Sequence, residues 1–179
     1  MTKKIGFLLG SLRKDSFSSR IAKTISDLFP EGYIGELIEI SHLPFYNEDL
    51  DKNQTPKSYQ DFRSKIEDLD GIIFITPEYN RTFPAVLKNA IDVASRPYNV
   101  QKWAGKKVAV VSQSPSSLGG ILANWDLRKP LRFLGADLLA QPEMAFSSVA
   151  NNFDNQGNPT EKTKEFVQSF VDAFIFHIG

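Results

Sequence analysis

The sequence predicts an α/β fold, a parallel sheet with helices packed on both of its faces. Apolar runs of strand length alternate along the chain with stretches of helical period. Several of those runs are continuously apolar, as strands covered on both faces require. Strand–helix units repeated in series then imply parallel pairing through right-handed crossovers.

Strands are predicted over residues 5–9, 34–40, 71–75, 108–111 and 136–140. Between them, Ile21, Ala22, Ile25, Leu28 and Phe29 share one helical face, and so do Tyr59, Phe62, Ile66 and Leu69. Val86, Leu87, Ala90, Ile91 and Ala94 form a third stripe. The clearest stripe is the last, through Phe166, Val167, Phe170, Val171, Phe174 and Ile175, with Thr160 placed to cap it. A helix over 120–134 is expected to kink or split at Pro130. Trp103 and Trp125 read as core residues.

With 179 residues the chain matches one domain, predicted over 1–179. Its 21 basic and 21 acidic side chains cancel, so no overall field draws it to nucleic acid or an anionic membrane. With zero cysteines, disulfides, thiolate metal sites and cysteine nucleophiles are excluded. Two histidines, His42 and His177, are too few for a multi-histidine metal site, so no metal is expected. No apolar run approaches the roughly 20 residues that span a bilayer. Lys3-Lys4 before Ile5-Gly6-Phe7-Leu8-Leu9 looks faintly like a leader, but Arg13-Lys14-Asp15 stands where a small-residue cleavage site belongs. That run reads as a first buried strand, and the protein as cytoplasmic.

In open parallel sheets, ligands bind at the carboxyl ends of the strands. The segments there, 10–19, 76–83 and 112–120, hold the chain's densest collection of small polar residues and glycines. In Gly10-Ser11-Leu12-Arg13-Lys14-Asp15-Ser16-Phe17-Ser18-Ser19, the hydroxyls of Ser11, Ser16 and Ser18 and the charge of Arg13 meet a helix start. Free N–H groups and partial positive charge at such a start suit a phosphate dianion. For any single serine, plain helix capping explains the residue equally well. There is no Gly-x-x-x-x-Gly-Lys-Ser/Thr and no Gly-x-Gly-x-x-Gly here, which disfavours a Walker NTPase and a dinucleotide held in the Rossmann manner. A terminal monoester phosphate, such as that of FMN, fits better.

Thr76-Pro77-Glu78-Tyr79-Asn80-Arg81-Thr82-Phe83-Pro84 is stiffened at both ends by proline and offers flat apolar faces at Tyr79 and Phe83. Such a loop can lay backbone N–H groups along a planar heterocycle, although an ordinary turn would use the same residues. Ser112-Gln113-Ser114-Pro115-Ser116-Ser117-Leu118-Gly119-Gly120 supplies a third wall, its glycines permitting close backbone approach.

Gly10-Ser11-Leu12-Arg13-Lys14 with Ser16-Phe17, then Thr76-Pro77-Glu78-Tyr79-Asn80 ahead of Pro84-Ala85-Val86-Leu87-Lys88-Asn89-Ala90-Ile91-Asp92, resembles the NADPH-dependent FMN reductase family, the group of azo, quinone and chromate reductases. The resemblance covers nearly the whole chain. It implies a flavodoxin-like three-layer fold with a five-stranded sheet in the order 2-1-3-4-5. It implies FMN as prosthetic group, with Ser11, Arg13, Ser16, Phe17 and Ser18 on the phosphate. Pro77, Glu78, Tyr79 and Asn80 would line the isoalloxazine, with Ser114 and Gly119 nearby. It also implies ping-pong hydride transfer from NADPH, or NADH, to flavin N5 and on to a quinone, azo compound, chromate or similar small-molecule acceptor. The family tends to form homodimers and homotetramers. Asp15 and Ser18 depart from a common glycine and asparagine, which points to a weaker grip on phosphate. No catalytic side chain is nominated, because the hydride step needs no protein acid or base.

Two other functions compete. A flavodoxin-type electron carrier would ordinarily be strongly acidic for docking, whereas this chain is neutral. A serine hydrolase would need a Gly-x-Ser-x-Gly elbow, which is absent, and His42 and His177 read as a loop and a terminal residue. The acidic and aromatic segment 44–51 is placed to close over the flavin, to join a subunit contact or simply to be solvated.

Overall fold

A computed structural model describes residues 2–179, the side chain of Asn53 excepted; Met1 of the predicted 1–179 unit lies outside the described residues. Strands β1 (Lys3–Leu9), β2 (Tyr33–Leu37), β3 (Gly71–Pro77) and β4 (Lys107–Gln113) pair in parallel, with β5 (Asp137–Leu138) and β6 (Met144–Phe146) both pairing with β4. The order β2-β1-β3-β4-β5 is the predicted one. Its fifth position, however, is shared by two short strands instead of one run over 136–140. Pro142 lies between them and has no N–H for the ladder; pairing ends at the Leu139 N–H, which donates to Val108 O, and resumes at Met144.

The continuously apolar strands are buried on both sides. Leu8, Ile72, Phe74, Val108 and Val110 face one core, with α3 (Lys57–Glu67), α4 (Ala85–Ala94) and α5 (Ile121–Phe133). Ile5, Phe7, Ile73, Ile75, Ala109 and Val111 face the other, with α1 (Phe17–Asp27) and α6 (Glu161–Ile178). That alternation by one residue is the pleat itself. The predicted helical stripes lie on these cores, apart from Phe166, which is 38% exposed, and Thr160 caps α6 by accepting from Thr163 N–H.

Two further expectations need correction. The helix α5 runs through Pro130 without a break, because Leu127 before it and Leu131 after it are both fully buried on one face. That shared anchorage outweighs the single backbone bond proline removes. Trp103 is a core residue, its indole N–H donating to Ile91 O at 2.9 Å, but Trp125 is 54% exposed on the outer side of α5. The acidic segment after β2 contains a short helix, α2 (Glu48–Asn53), capped by Asn47 with Glu48, Asp49 and Asp51 in its first turn. Acidic residues there match the positive end of a helix.

Candidate functional site

Because the sheet is parallel, the chain leaves β1, β3 and β4 along one edge. Backbone pairing there joins the three loops. Gly10 N–H donates to Ile75 O at 2.8 Å, and Glu78 N–H donates to Gln113 O at 3.1 Å. A Cβ built on Gly10 would stand 3.0 Å from both Pro77 Cδ and Leu87 Cδ1, tighter than ordinary contact, so glycine here eases the close approach of the first loop to Pro77 and α4. The segments singled out in the sequence therefore form one rim.

The first loop opens a cavity of about 190 Å³ lined by Ser11, Arg13, Lys14, Ser16 and Ser19, with its far wall from residues 38–41 beyond β2. Ser16 is the N-cap of α1: its hydroxyl oxygen accepts from Ser19 N–H at 3.1 Å and its O–H donates to Ser19 Oγ at 3.3 Å. Ser11 Oγ accepts from Arg13 N–H at 3.4 Å. Arg13 is exposed, and its guanidinium meets no acceptor among the described residues. Asp15 is exposed to water, which softens its repulsion of an anion.

Ser18 is fully buried and its Oγ has no hydrogen-bond partner. The first-turn N–H groups of Phe17 and Ser18 are likewise unpaired among the described residues. The Phe17 ring turns away from the cavity and stacks on Phe153 at 6.0 Å, with Arg20 over its face. What Phe17 offers a ligand is its backbone N–H.

The far wall was not foreseen from sequence. Glu39 and Ser41 stand there, Glu39 accepting from Ser41 N–H at 2.8 Å. That turn holds the Glu39 carboxyl below its ordinary range, chiefly through hydrogen bonding to Ser41, so the wall stays negatively charged at neutral pH. The missed signal was Glu39-Ile40-Ser41 itself, a carboxylate two residues before a serine.

In the third loop, Tyr79 and Thr82 pair back to back, Tyr79 N–H donating to Thr82 O at 2.9 Å and Thr82 N–H to Tyr79 O at 3.1 Å. Between them Asn80 (φ 51°) and Arg81 (φ 69°) both take left-handed backbone, closing a tight hairpin tip. Tyr79 is 68% exposed, so a flat face is presented at the rim. Nearby on α5, the Lys129 ammonium donates to the Asp126 carboxylate at 2.6 Å and holds it below its ordinary range.

In the fourth loop Ser114 is buried and shares a hydrogen bond with Ser116 at 3.0 Å between hydroxyls. Gly119 has φ 61°, and a Cβ there would come within 3.0 Å of backbone atoms of Ala145 and Ser147. Glycine at 119 thus permits close approach to the chain's own β6 region.

These residues suit FMN. Ser11, Arg13, Lys14 and Ser16 line the cavity at the α1 terminus, where a phosphate ester is best received, while the unpartnered Ser18 hydroxyl is buried behind that lining. The hairpin beyond β3, on the same sheet edge, exposes the flat Tyr79 ring. Among the described residues no trio of His, Asp or Glu is arranged to hold a metal, and no helix is long and apolar enough to cross a membrane.

Comparison with known proteins agrees. The family model for NADPH-dependent FMN reductase matches residues 3–151. A quinone reductase of Pseudomonas putida is 42% identical over 170 residues, 95% of this chain and 91% of that one. A 2-hydroxy-1,4-benzoquinone reductase of a Burkholderia species is 37% identical over 175 residues, 97% and 95% of the two chains. Among solved structures, the flavoenzyme NAD(P)H:(acceptor) oxidoreductase FerB of Paracoccus denitrificans superposes with a TM-score of 0.92 at 38% identity, covering 99% of this chain and 97% of that one. With the matching rim, these similarities establish that the chain is an enzyme belonging to the NADPH-dependent FMN reductase family, whose cofactors are FMN and a reduced nicotinamide nucleotide.

Proposed function

We propose that the chain is a cytoplasmic NAD(P)H:quinone oxidoreductase working by a ping-pong scheme over the single domain 1–179, with donor and acceptor occupying the same exposed face in turn. The observation that carries this is the proximity, along one sheet edge, of the first loop at Gly10 to Pro77 at the foot of the hairpin beyond β3. FMN, when bound, supplies the two-electron relay that no side chain provides. Ser11, Arg13, Ser16 and Ser18, with the N–H groups of Phe17 and Ser18, hold the phosphate. Pro77, Glu78, Tyr79 and Asn80 support the ring, and Ser114 and Gly119 fix the neighbouring wall. Of that segment's backbone donors, the Asn80 N–H is the one without a partner among the described residues, and it stabilises negative charge that develops during reduction.

The relatives' names favour a quinone as acceptor, and an open aromatic rim also admits azo compounds and chromate. Exposed Phe45, Tyr79, Tyr98 and Trp125 supply apolar surface for a homodimer or homotetramer, which solution scattering would show as a mass above 20.1 kDa. The purified protein should be yellow, bleach anaerobically with NADPH or NADH and regain colour with a quinone. Colourless protein that ignores added FMN would contradict the proposal.

A further inference from the structure

Glu39 is out of place in a cavity meant for phosphate alone. It stands on the wall opposite Arg13 and Lys14 and, among the described residues, forms an ion pair with neither. A carboxylate across from a bound phosphate weakens the grip on it. Ser41 N–H donates to Glu39 Oε1 at 2.8 Å and fixes the group at the wall. An ionised carboxylate offers about four acceptor positions, so capacity is left for a ligand that brings donors.

A second cavity, of about 260 Å³, shares Leu37, Ile38 and Glu39 with the first and adds His42 and Phe62. Neither cavity alone reaches the roughly 300 Å³ at which ligand pockets begin, but joined at Glu39 they exceed it. Leu37, on the edge strand β2, is 60% exposed there, an apolar surface the chain itself leaves uncovered. The groove therefore runs from unpaired cations, past a carboxylate, to apolar side chains. Phosphate, ribose hydroxyls and a flat base follow one another in the same order in a nucleotide. In nucleotide-binding βαβ units, an acidic residue about 20 positions beyond the phosphate loop accepts the ribose 2′-hydroxyl. Glu39 follows β2 in the unit β1-α1-β2.

FMN does not account for this groove. In the order β2-β1-β3, the hairpin beyond β3 lies on one side of the first loop and Glu39 on the other, so a flavin running from phosphate to hairpin points away from Glu39. The ends of β2 and β3 are two strand spacings apart, roughly 10 Å, a gap that an extended dinucleotide bridges. We propose that the groove receives the ADP half of the nicotinamide donor, with Lys14 on the pyrophosphate, Glu39 accepting the ribose 2′- and 3′-hydroxyls, and the base on Leu37. The assignment rests on the FMN and NAD(P)H reading above. Lys14 serves in place of a glycine-rich backbone cradle, which the first loop lacks. Glu39 then selects NADH, because the 2′-phosphate of NADPH replaces a hydroxyl donor with a like charge. Lys65, a cation of the second cavity, is already held by Glu36 Oε2 at 2.7 Å.

The test compares FMN-loaded wild type, Glu39→Gln, which can still accept from Ser41 N–H, and Leu37→Ser. Each is titrated by calorimetry with ADP-ribose and with 2′-phospho-ADP-ribose, which carry the adenine half of the donor without its nicotinamide. Values of kcat/KM are then measured with NADH and NADPH. Wild type should bind ADP-ribose about tenfold or more tighter than its 2′-phosphorylated form, the worth of one charge-assisted hydrogen bond, and favour NADH by a similar factor. In Glu39→Gln both preferences should fall to about threefold or less. Leu37→Ser should weaken both ADP-riboses alike, by about fivefold, through lost apolar contact. Equal binding of the two ADP-riboses by wild type, binding of neither, or preferences unchanged in Glu39→Gln would overturn this assignment, while FMN binding and its reduction by a nicotinamide still uphold the proposed function. Wild type that takes up no FMN would overturn that function and this assignment together.

Discussion

Ser16 and Ser18 stand two residues apart and have opposite surroundings. The Ser16 hydroxyl caps the helix at the cavity wall, whereas that of Ser18 is buried and unpaired. Ser16→Ala should therefore lower stability by about 1 kcal/mol, as loss of a cap does. Ser18→Ala removes no hydrogen bond from the protein itself, so its melting temperature should hold while FMN affinity falls about tenfold. Thermal melts and fluorescence titration separate the two. In the sequence these serines could not be told apart, because the same hydroxyl serves a cap or an anion and local spacing allows both. The left-handed pair Asn80-Arg81 was only half visible: asparagine tolerates that backbone, but an arginine there is fixed by the hairpin hydrogen bonds around it.

At the scale of elements, the segment beyond β2 is strapped to α3 and α4. Asn89 Nδ2 donates to Leu43 O and Pro44 O, and its Oδ1 accepts from Tyr46 N–H at 2.8 Å. Tyr59 O–H donates to Phe45 O at 2.8 Å. Asn89→Ala would strand those backbone groups, and should cost about 2 kcal/mol in denaturant unfolding. Arg63 closes the strap, bonding Asp51 twice and Val93 O through Nε, with both charged side chains under 10% exposed. Arg63→Ala should cost about 3 kcal/mol, because the partner charge is left buried alone.

The same pair gives a pH dependence. Hydrogen bonding from Arg63 holds the Asp51 carboxyl below its ordinary value. Its stabilisation is therefore complete above the unfolded carboxyl pKa, about 3.9, and is lost as pH falls through the lower folded value. Unfolding midpoints at pH 7 and pH 3 should differ less in Asp51→Asn than in wild type. The sequence showed α4 plainly by its apolar stripe. It did not show what Asn89 does, because the partners lie more than 40 residues away and only the fold brings them together. β6 escaped notice for a related reason: three residues after a proline carry no period, and pairing with β4 alone makes them a strand.

Across the whole molecule, the sheet was legible because burial on both faces leaves continuously apolar strands, and strand–helix alternation leaves few topologies. The rim was legible because three polar loops follow strands that a parallel sheet must end on one side. The wall carrying Glu39 was not, since nothing local says that residues beyond β2 fold back against the first loop. The central claim is that this rim recognises a phosphate ester as well as a ring. Titration calorimetry with FMN and with riboflavin, which differ only in that phosphate, tests it most directly. The account predicts FMN binding at least about a hundredfold tighter, roughly two charge-assisted hydrogen bonds' worth; equal affinity for the two flavins would contradict it.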